Sequence, residues 1–255
     1  RLDLAYLEWR PTTGVRVQGG RTRQPWLRPA GTALLDSDLM PEGVTAFGAA
    51  GGFTAIAFHH AVQERRADDD AWLSGLQVTW RLPATSGLRV GAGYFDWHGV
   101  RERRPFFGAD ALGNSVAGSG LVYDYDVVEA LAEYSRELAP GPLRLGFHYL
   151  RNLDAPSRAA TAWSAAATLG NVSAGGRWEL GYAWQSIDAD ALFAGWVDSD
   201  FGGGRTGAEG GILRAAYAVT PKITLSGSWF DQRLPRSALR EPRYRRLQLD
   251  FTAQY

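Results

Sequence analysis

Residues 246–254 alternate without a break. Leu247, Leu249, Phe251 and Ala253 are apolar; Arg246, Gln248, Asp250, Thr252 and Gln254 are polar. A period of two sends successive side chains to opposite faces, so this segment reads as a β-strand with one oily and one wet side. Tyr255 carries the apolar series to the last residue. The pattern recurs upstream. Trp178, Leu180, Tyr182 and Trp184 share a face against Glu179 and Gln185. Leu143, Leu145, Phe147 and Tyr149 oppose Arg144, Gly146 and His148, and Leu213, Ala215, Tyr217 and Val219 oppose Arg214. Trp72, Leu76, Val78 and Trp80 oppose Gln77, Thr79 and Arg81, and Leu88, Val90, Ala92 and Tyr94 oppose Arg89, Gly91 and Gly93. A chain built this way is committed to sheet, with half of its strand side chains facing water.

Thirteen candidate strands follow, near 2–10, 15–21, 43–50, 53–63, 71–82, 87–97, 121–136, 142–151, 157–169, 174–187, 209–219, 222–232 and 243–255. The Ala-rich stretch 159–169 also fits a helix. Connections sort into two classes that alternate along the chain. Short ones fall at Pro11–Gly14, Gly51-Gly52, Pro83–Ser86, Ala139–Gly141, Gly170-Asn171 and Thr220-Pro221. Long ones fall at 22–42, 64–70, 98–120, 152–156, 188–208 and 233–242. Short turns on one rim and long loops on the other are the arrangement of a transmembrane β-barrel, with turns periplasmic and loops outside.

Composition agrees. Mean hydropathy is slightly negative, as expected where only every second strand residue faces lipid. Ten tryptophans and ten tyrosines on one face would overfill a sandwich core, whereas a lipid belt has room. Aromatics gather near strand ends (Trp72, Trp80, Tyr94, Tyr149, Trp178, Trp229, Tyr255), as interface girdles do. No cysteine is present, which excludes disulfides and thiolate metal sites, and zero net charge argues against a nucleic-acid partner. The segment 43–63 lacks formal charge, but its glycines divide it into two strands rather than a helical span. With Tyr255 at the periplasmic rim, counting back thirteen strands places the first strand's start outside. Complete bacterial barrels have even strand numbers. The expectation is therefore one barrel domain over residues 1–255 that is the C-terminal part of a longer chain.

Leu4-Ala5-Tyr6-Leu7-Glu8-Trp9-Arg10-Pro11, the acidic stretch Leu34–Val44, and Asp198–Gly204 leading into Gly211-Ile212-Leu213 resemble segments of the Putative porin family of Gram-negative outer membranes. The resemblance implies an all-β, antiparallel barrel of roughly sixteen strands when complete, located in the bacterial outer membrane. It also admits a homotrimer by analogy. The implied activity is passive diffusion of small hydrophilic solutes or ions through a lumen narrowed by an inward loop, with loop 98–120 the first choice and 22–42 the second. No cofactor is implied.

The candidate lining of that lumen is Arg16, Arg81, Arg89, Glu129, Glu133, Arg144, His148, Arg177, Glu179, Arg214, Arg246 and Asp250, all on polar strand faces. Opposed basic and acidic walls create a transverse field that sorts ions; structural cross-strand pairing is the simpler reading of the same residues. Two Asp-Ser-Asp segments, Asp36–Asp38 and Asp198–Asp200, are weak calcium candidates. They lack EF-hand spacing, and capping turns or a loop helix such as 189–196 is the better expectation. His59 and His60 are adjacent on a strand and point to opposite faces, so they cannot share one ion. His148 lies one hairpin from Ser157 and Ser164, but no nucleophile motif surrounds either serine, and no enzyme is expected. A lipid-acting barrel enzyme, a plugged structural or adhesive barrel, and a soluble carbohydrate-binding sandwich are the rival readings.

Overall fold

The computed structural model describes residues 3–66, 69–83, 86–104, 110–139, 141–234 and 243–254. Tyr255 lies outside them. The strands are β1 (Ala5–Thr12), β2 (Val15–Arg21), β3 (Glu42–Ala50), β4 (Phe53–Gln63), β5 (Ala71–Arg81), β6 (Leu88–His98), β7 (Val116–Ala117), β8 (Gly120–Leu121), β9 (Tyr125–Leu138), β10 (Gly141–Asn152), β11 (Thr161–Gly170), β12 (Trp178–Ile187), β13 (Ala208–Thr220), β14 (Ile223–Arg233) and β15 (Arg243–Ala253). The thirteen long strands form one antiparallel sheet in chain order, bounded by β1 and β15; β7 and β8 pair separately within the loop after β6. No helix among the described residues is long and apolar enough to cross a membrane. The sheet is that of an antiparallel β-barrel.

Alternation decides which way the sheet faces. Leu76, Val78, Trp80, Leu145, Phe147, Leu180, Tyr182, Leu213, Leu247 and Leu249 are all exposed, with Leu180 at 48% and Leu249 at 75%. Their strand neighbours Gln77, His148, Ala183, Gln185 and Ile212 are buried on the inner face. The oily side therefore points outward, which excludes a sandwich with an apolar interior. His59 stacks on Trp72 outside while His60 is buried inside against Thr45.

The outward apolar band has a visible upper limit. His59, Ser74, Asp96 and Asp126 pair in succession across β4, β5, β6 and β9, forming one polar row on the outer surface near the long-loop rim. Tyr94, one step below, donates its hydroxyl to Asp126 at 2.6 Å. An aromatic ring in the oil with its polar tip at the boundary is the usual interface arrangement.

The Ala-rich segment is strand, not helix. It begins with a short 3-10 turn (Ser157–Ala159) before β11. Its small side chains have two partners. Outward-facing Ala165 and Ala167 lie between Phe147 and Trp184, and between Leu145 and Tyr182, whose bulk covers them. Inward-facing Ala166 packs so tightly against Gly31 of the 22–41 loop that a methyl on that glycine would come within 2.9 Å of it. Tertiary neighbours here override helix propensity. The sorting of connections holds with one blurring: the turn at 171–177 is as long as the outer loop at 64–70.

Candidate functional site

The segment 22–41, between β2 and β3, enters the barrel and lies along its inner wall. Its composition makes this possible. Trp26, Leu34 and Leu35 are apolar enough to be buried, and Pro25 and Pro29 reduce the entropy lost on ordering. Its backbone polar groups are then met by inward side chains of the wall. Gln77 on β5 accepts from Leu27 N at 2.7 Å and donates to Leu27 O at 3.0 Å. Glu133 on β9 accepts from Ala30 N, Gln185 on β12 donates to Ala33 O, and Arg214 on β13 donates to Gly31 O. Gly146 on β10 supplies bare backbone at the crossing, where any Cβ would collide with the Ala30 carbonyl. Trp26 packs on Phe58 at 4.9 Å, on Phe95 edge-on at 5.5 Å and on Trp196 at 6.0 Å.

Trp196 belongs to a second inward loop, 188–207. The two loops pair through a bridge between Leu35 and Val197, with Asp36 N donating to Trp196 O at 2.9 Å. This bridge brings the two Asp-Ser-Asp segments side by side. Asp36 accepts from Asp38 N and Asp198 from Asp200 N, so each closes its own turn. The helix expected at 189–196 is only a 3-10 turn at Ala194–Trp196; no aspartate caps it, and Ala194 N donates to Asn114 Oδ1. Burial pushes the Asp198 carboxyl up to about 6; the charges of Asp36 and Asp200 add to the rise and Arg214 opposes it. Burial likewise raises Asp36. Arginines face this cluster. Arg246 on β15 bonds Asp200 at 2.5 Å, and Arg28 donates to Leu35 O. No group of three or more His, Asp or Glu among the described residues is placed to hold a metal ion.

The model of the family described as Putative porin matches residues 114–253, more than half of the chain. The chain belongs to that family. The porin also resembles solved structures from Pseudomonas aeruginosa. With OpdQ the TM-score is 0.57 at 11% identity, covering 96% of this chain and 67% of that one. With OccK8 (OprE) it is 0.56 at 12% identity, covering 94% and 68%. With OccK10 (OpdN) it is 0.53 at 14% identity, covering 94% and 68%. At such identities the likeness shows the fold alone. No curated protein sequence matches. Family and fold place this porin in the bacterial outer membrane as a channel-type barrel in contact with outer-membrane lipid.

The structure sorts the candidate lining of the porin into three groups. Arg16, Arg81, Arg89, Glu133, Arg144, Glu179, Arg214, Arg246 and Asp250 sit within strands on the inner face. Four of the arginines have acidic neighbours: Arg89 with Glu133 at 3.8 Å, Arg144 with Glu179 at 2.5 Å, Arg246 with Asp200, and Arg16 with Glu8 at 3.7 Å. Arg81, Arg89 and Glu133 border a cavity of about 360 Å³ at the short-turn end. Glu129 and His148 form the second group. They face inward but are only 4% and 1% exposed, with His148 Nε2 2.6 Å from Glu129 Oε1 and Gln77 donating to Glu129 Oε2. Sealed beneath loop 22–41, they brace Gln77 and do not meet open water, contrary to the expectation from alternation alone. The third group is Arg177, which lies in the turn before β12 and not within a strand.

Of the first-choice inward segment, 98–120, residues 105–109 lie outside the described residues. Its described part packs against loop 188–207: Asn114 donates to Ala189 O and Leu192 O, Ser115 bonds Asp190, and Val100 and the adjoining Leu121 are buried. Sequence reasoning passed over Gln77 and Gln185. Both are fully buried amides on the inward face of their strands. Long neutral side chains at mid-strand inward positions are the available signal for a loop that must be held by its backbone. Ser157 is exposed and bonded by Arg151, whereas Ser164 is wholly buried opposite His148 with no hydrogen bond to it.

Proposed function

We propose that this porin passes small hydrophilic solutes or ions by passive diffusion along a wet path beside loops 22–41 and 188–207. The path is lined by Arg16, Arg81, Arg89, Glu133, Arg144, Glu179, Arg214, Arg246 and Asp250 on the wall, with Asp36, Asp38, Asp198 and Asp200 on the loops. One observation carries the reading: two loops are bonded inside the wall so that a cluster of carboxylates stands against arginines at the constriction. Such an arrangement polarises the narrow point and leaves the solute gradient as the driving force. An unpaired strand edge cannot lie in hydrocarbon. In the membrane the edges of β1 and β15 are therefore bridged, by each other or by further strands.

The test is single-channel recording in a planar bilayer. Discrete conductance is expected, and Arg214→Glu is expected to move the reversal potential toward cation preference. No current above background would overturn the reading. It would favour a plugged barrel, for which the buried aromatic cluster of Trp26, Phe58, Phe95, Trp97 and Trp196 also speaks.

Acidity gives a second check. Asp198 ionises near pH 6, so from about pH 7.5 to about pH 5 the constriction loses a negative charge. Ion preference is expected to drift toward anions over that interval, and Asp198→Asn to remove the drift. The stability sign follows from the same shift. The folded-state value lies above the ordinary 3.8, so the native state holds the proton more tightly. This group's contribution is complete below the ordinary value and is lost as pH rises through about 6.

A further inference from the structure

A cavity of about 610 Å³ opens at the long-loop rim, where the outer ends of β2, β3 and β4 meet loops 22–41, 99–124 and 188–207. That volume falls within the roughly 300–1,000 Å³ of small-molecule sites. Its walls are largely apolar, formed by Leu39, Leu112 and Phe193 with Trp196 among them. Trp196 is held rigidly, since it packs on Trp26 and meets Trp97 at 6.2 Å.

The polar groups around this cavity are mostly committed. Arg21 donates to Glu42 at 3.3 Å, which sets those two charges against each other. Asn114 spends its amide on Ala189 O, Leu192 O and Ala194 N. Gln63 accepts from Arg65. Glu64 and Asp110 remain, and among the described residues neither has a cation within ion-pair distance. Two exposed carboxylates, without an ion-pair partner among the described residues, therefore stand at the mouth of an apolar chamber. A solute with an apolar body and a cationic head fills the chamber with the one and keeps the other at the wet mouth beside the carboxylates.

From this we infer that the outer vestibule is a binding site for an organic cation: an aromatic or aliphatic body in the chamber, and an ammonium or guanidinium group at Glu64 and Asp110. An anionic counterpart of equal size meets two like charges and is rejected. The site lies before the constriction on the outer side, so it would concentrate such solutes at the mouth.

The test uses the full chain in lipid nanodiscs. Dansylcadaverine, an aromatic body bearing a primary ammonium, is titrated and its fluorescence blue shift followed. Dansylglycine, with a similar body and a carboxylate, is titrated in parallel, and empty discs give the lipid background. Saturable binding of the cation above background is expected. It should weaken about fivefold in the double variant Glu64→Gln/Asp110→Asn, the scale of two exposed charge contacts. Leu112→Ser, which removes apolar wall without adding a charge, should weaken it as well. Each variant is first checked for the folded, heat-modifiable gel band. Equal affinity for the two probes, affinity unchanged in both variants, or no saturable signal above empty discs would overturn the inference. Conductance is not read, so any of these failures leaves the channel reading where it stands.

Discussion

Replacing Gly146 by valine will lower single-channel conductance about twofold or more, because it drives the inward loop off the wall into the lumen and pore radius at a constriction governs ion flow. At this position β10 touches the inward loop with bare backbone. Any Cβ there collides with the Ala30 carbonyl and crowds the Ala30 nitrogen and carbonyl carbon at 3.1 Å. The wall cannot yield, since β10 is paired along its length with β9 and β11. The loop must lift. In doing so it gives up the bond from Ala30 N to Glu133 and the one from Arg214 to Gly31 O. The overpacking penalty is of order 1–3 kcal/mol, small enough to leave the barrel assembled. Ala165→Val is the matched control. It adds similar bulk on the neighbouring strand, but on the outward, exposed face, and conductance should not change. If Gly146→Val leaves the current at its original level, loop 22–41 is not the narrow point.

Leu213→Arg should destabilise the barrel in lipid by about 2–4 kcal/mol, the cost of a cation on the lipid face near the bilayer midplane. Leu213 is 45% exposed, lies near the middle of β13 and faces out between Tyr182 and Trp229. Ser228→Arg carries the same charge to the inner face of β14, beside Arg214 and Gln248. It should cost far less and shift ion preference toward anions. Denaturant titration into vesicles measures the first effect, and reversal potentials the second. Equal destabilisation by the two variants would mean that the faces are not lipid and water.

Much of this was legible from local pattern. Period-two alternation along Trp178–Gln185 or Leu143–Tyr149 specifies which side chains share a face, because the pleat admits no other assignment within a strand. The alternation of short and long connections then gives the barrel its two rims. The opposite fates of His59 and His60 follow from the same rule. The two Asp-Ser-Asp turns were also readable, since each closes on an amide two residues away.

Direction of loops was not readable. Segments 22–41 and 98–120 are both long and mixed in composition, and among the described residues it is 22–41 whose backbone is bonded along the inner wall. Its five anchors (Gln77, Glu133, Gly146, Gln185, Arg214) come from five strands, and each looks like an ordinary wet-face residue until the wall curves around the loop. Glu129 and His148 show the converse. Alternation placed them on the wet face, and the loop above them then removed the water.

By itself, the sequence determined the strands, the lipid-facing and inward faces, the two rims and the outer-membrane class, all of which follow from interactions a few residues apart. Only the tertiary structure decided the constriction. It depends on Leu35 meeting Val197 and on Gln77 meeting Leu27, pairings that become neighbours only after the sheet has curved. No local periodicity encodes a contact whose partners are separated by the length of the barrel wall.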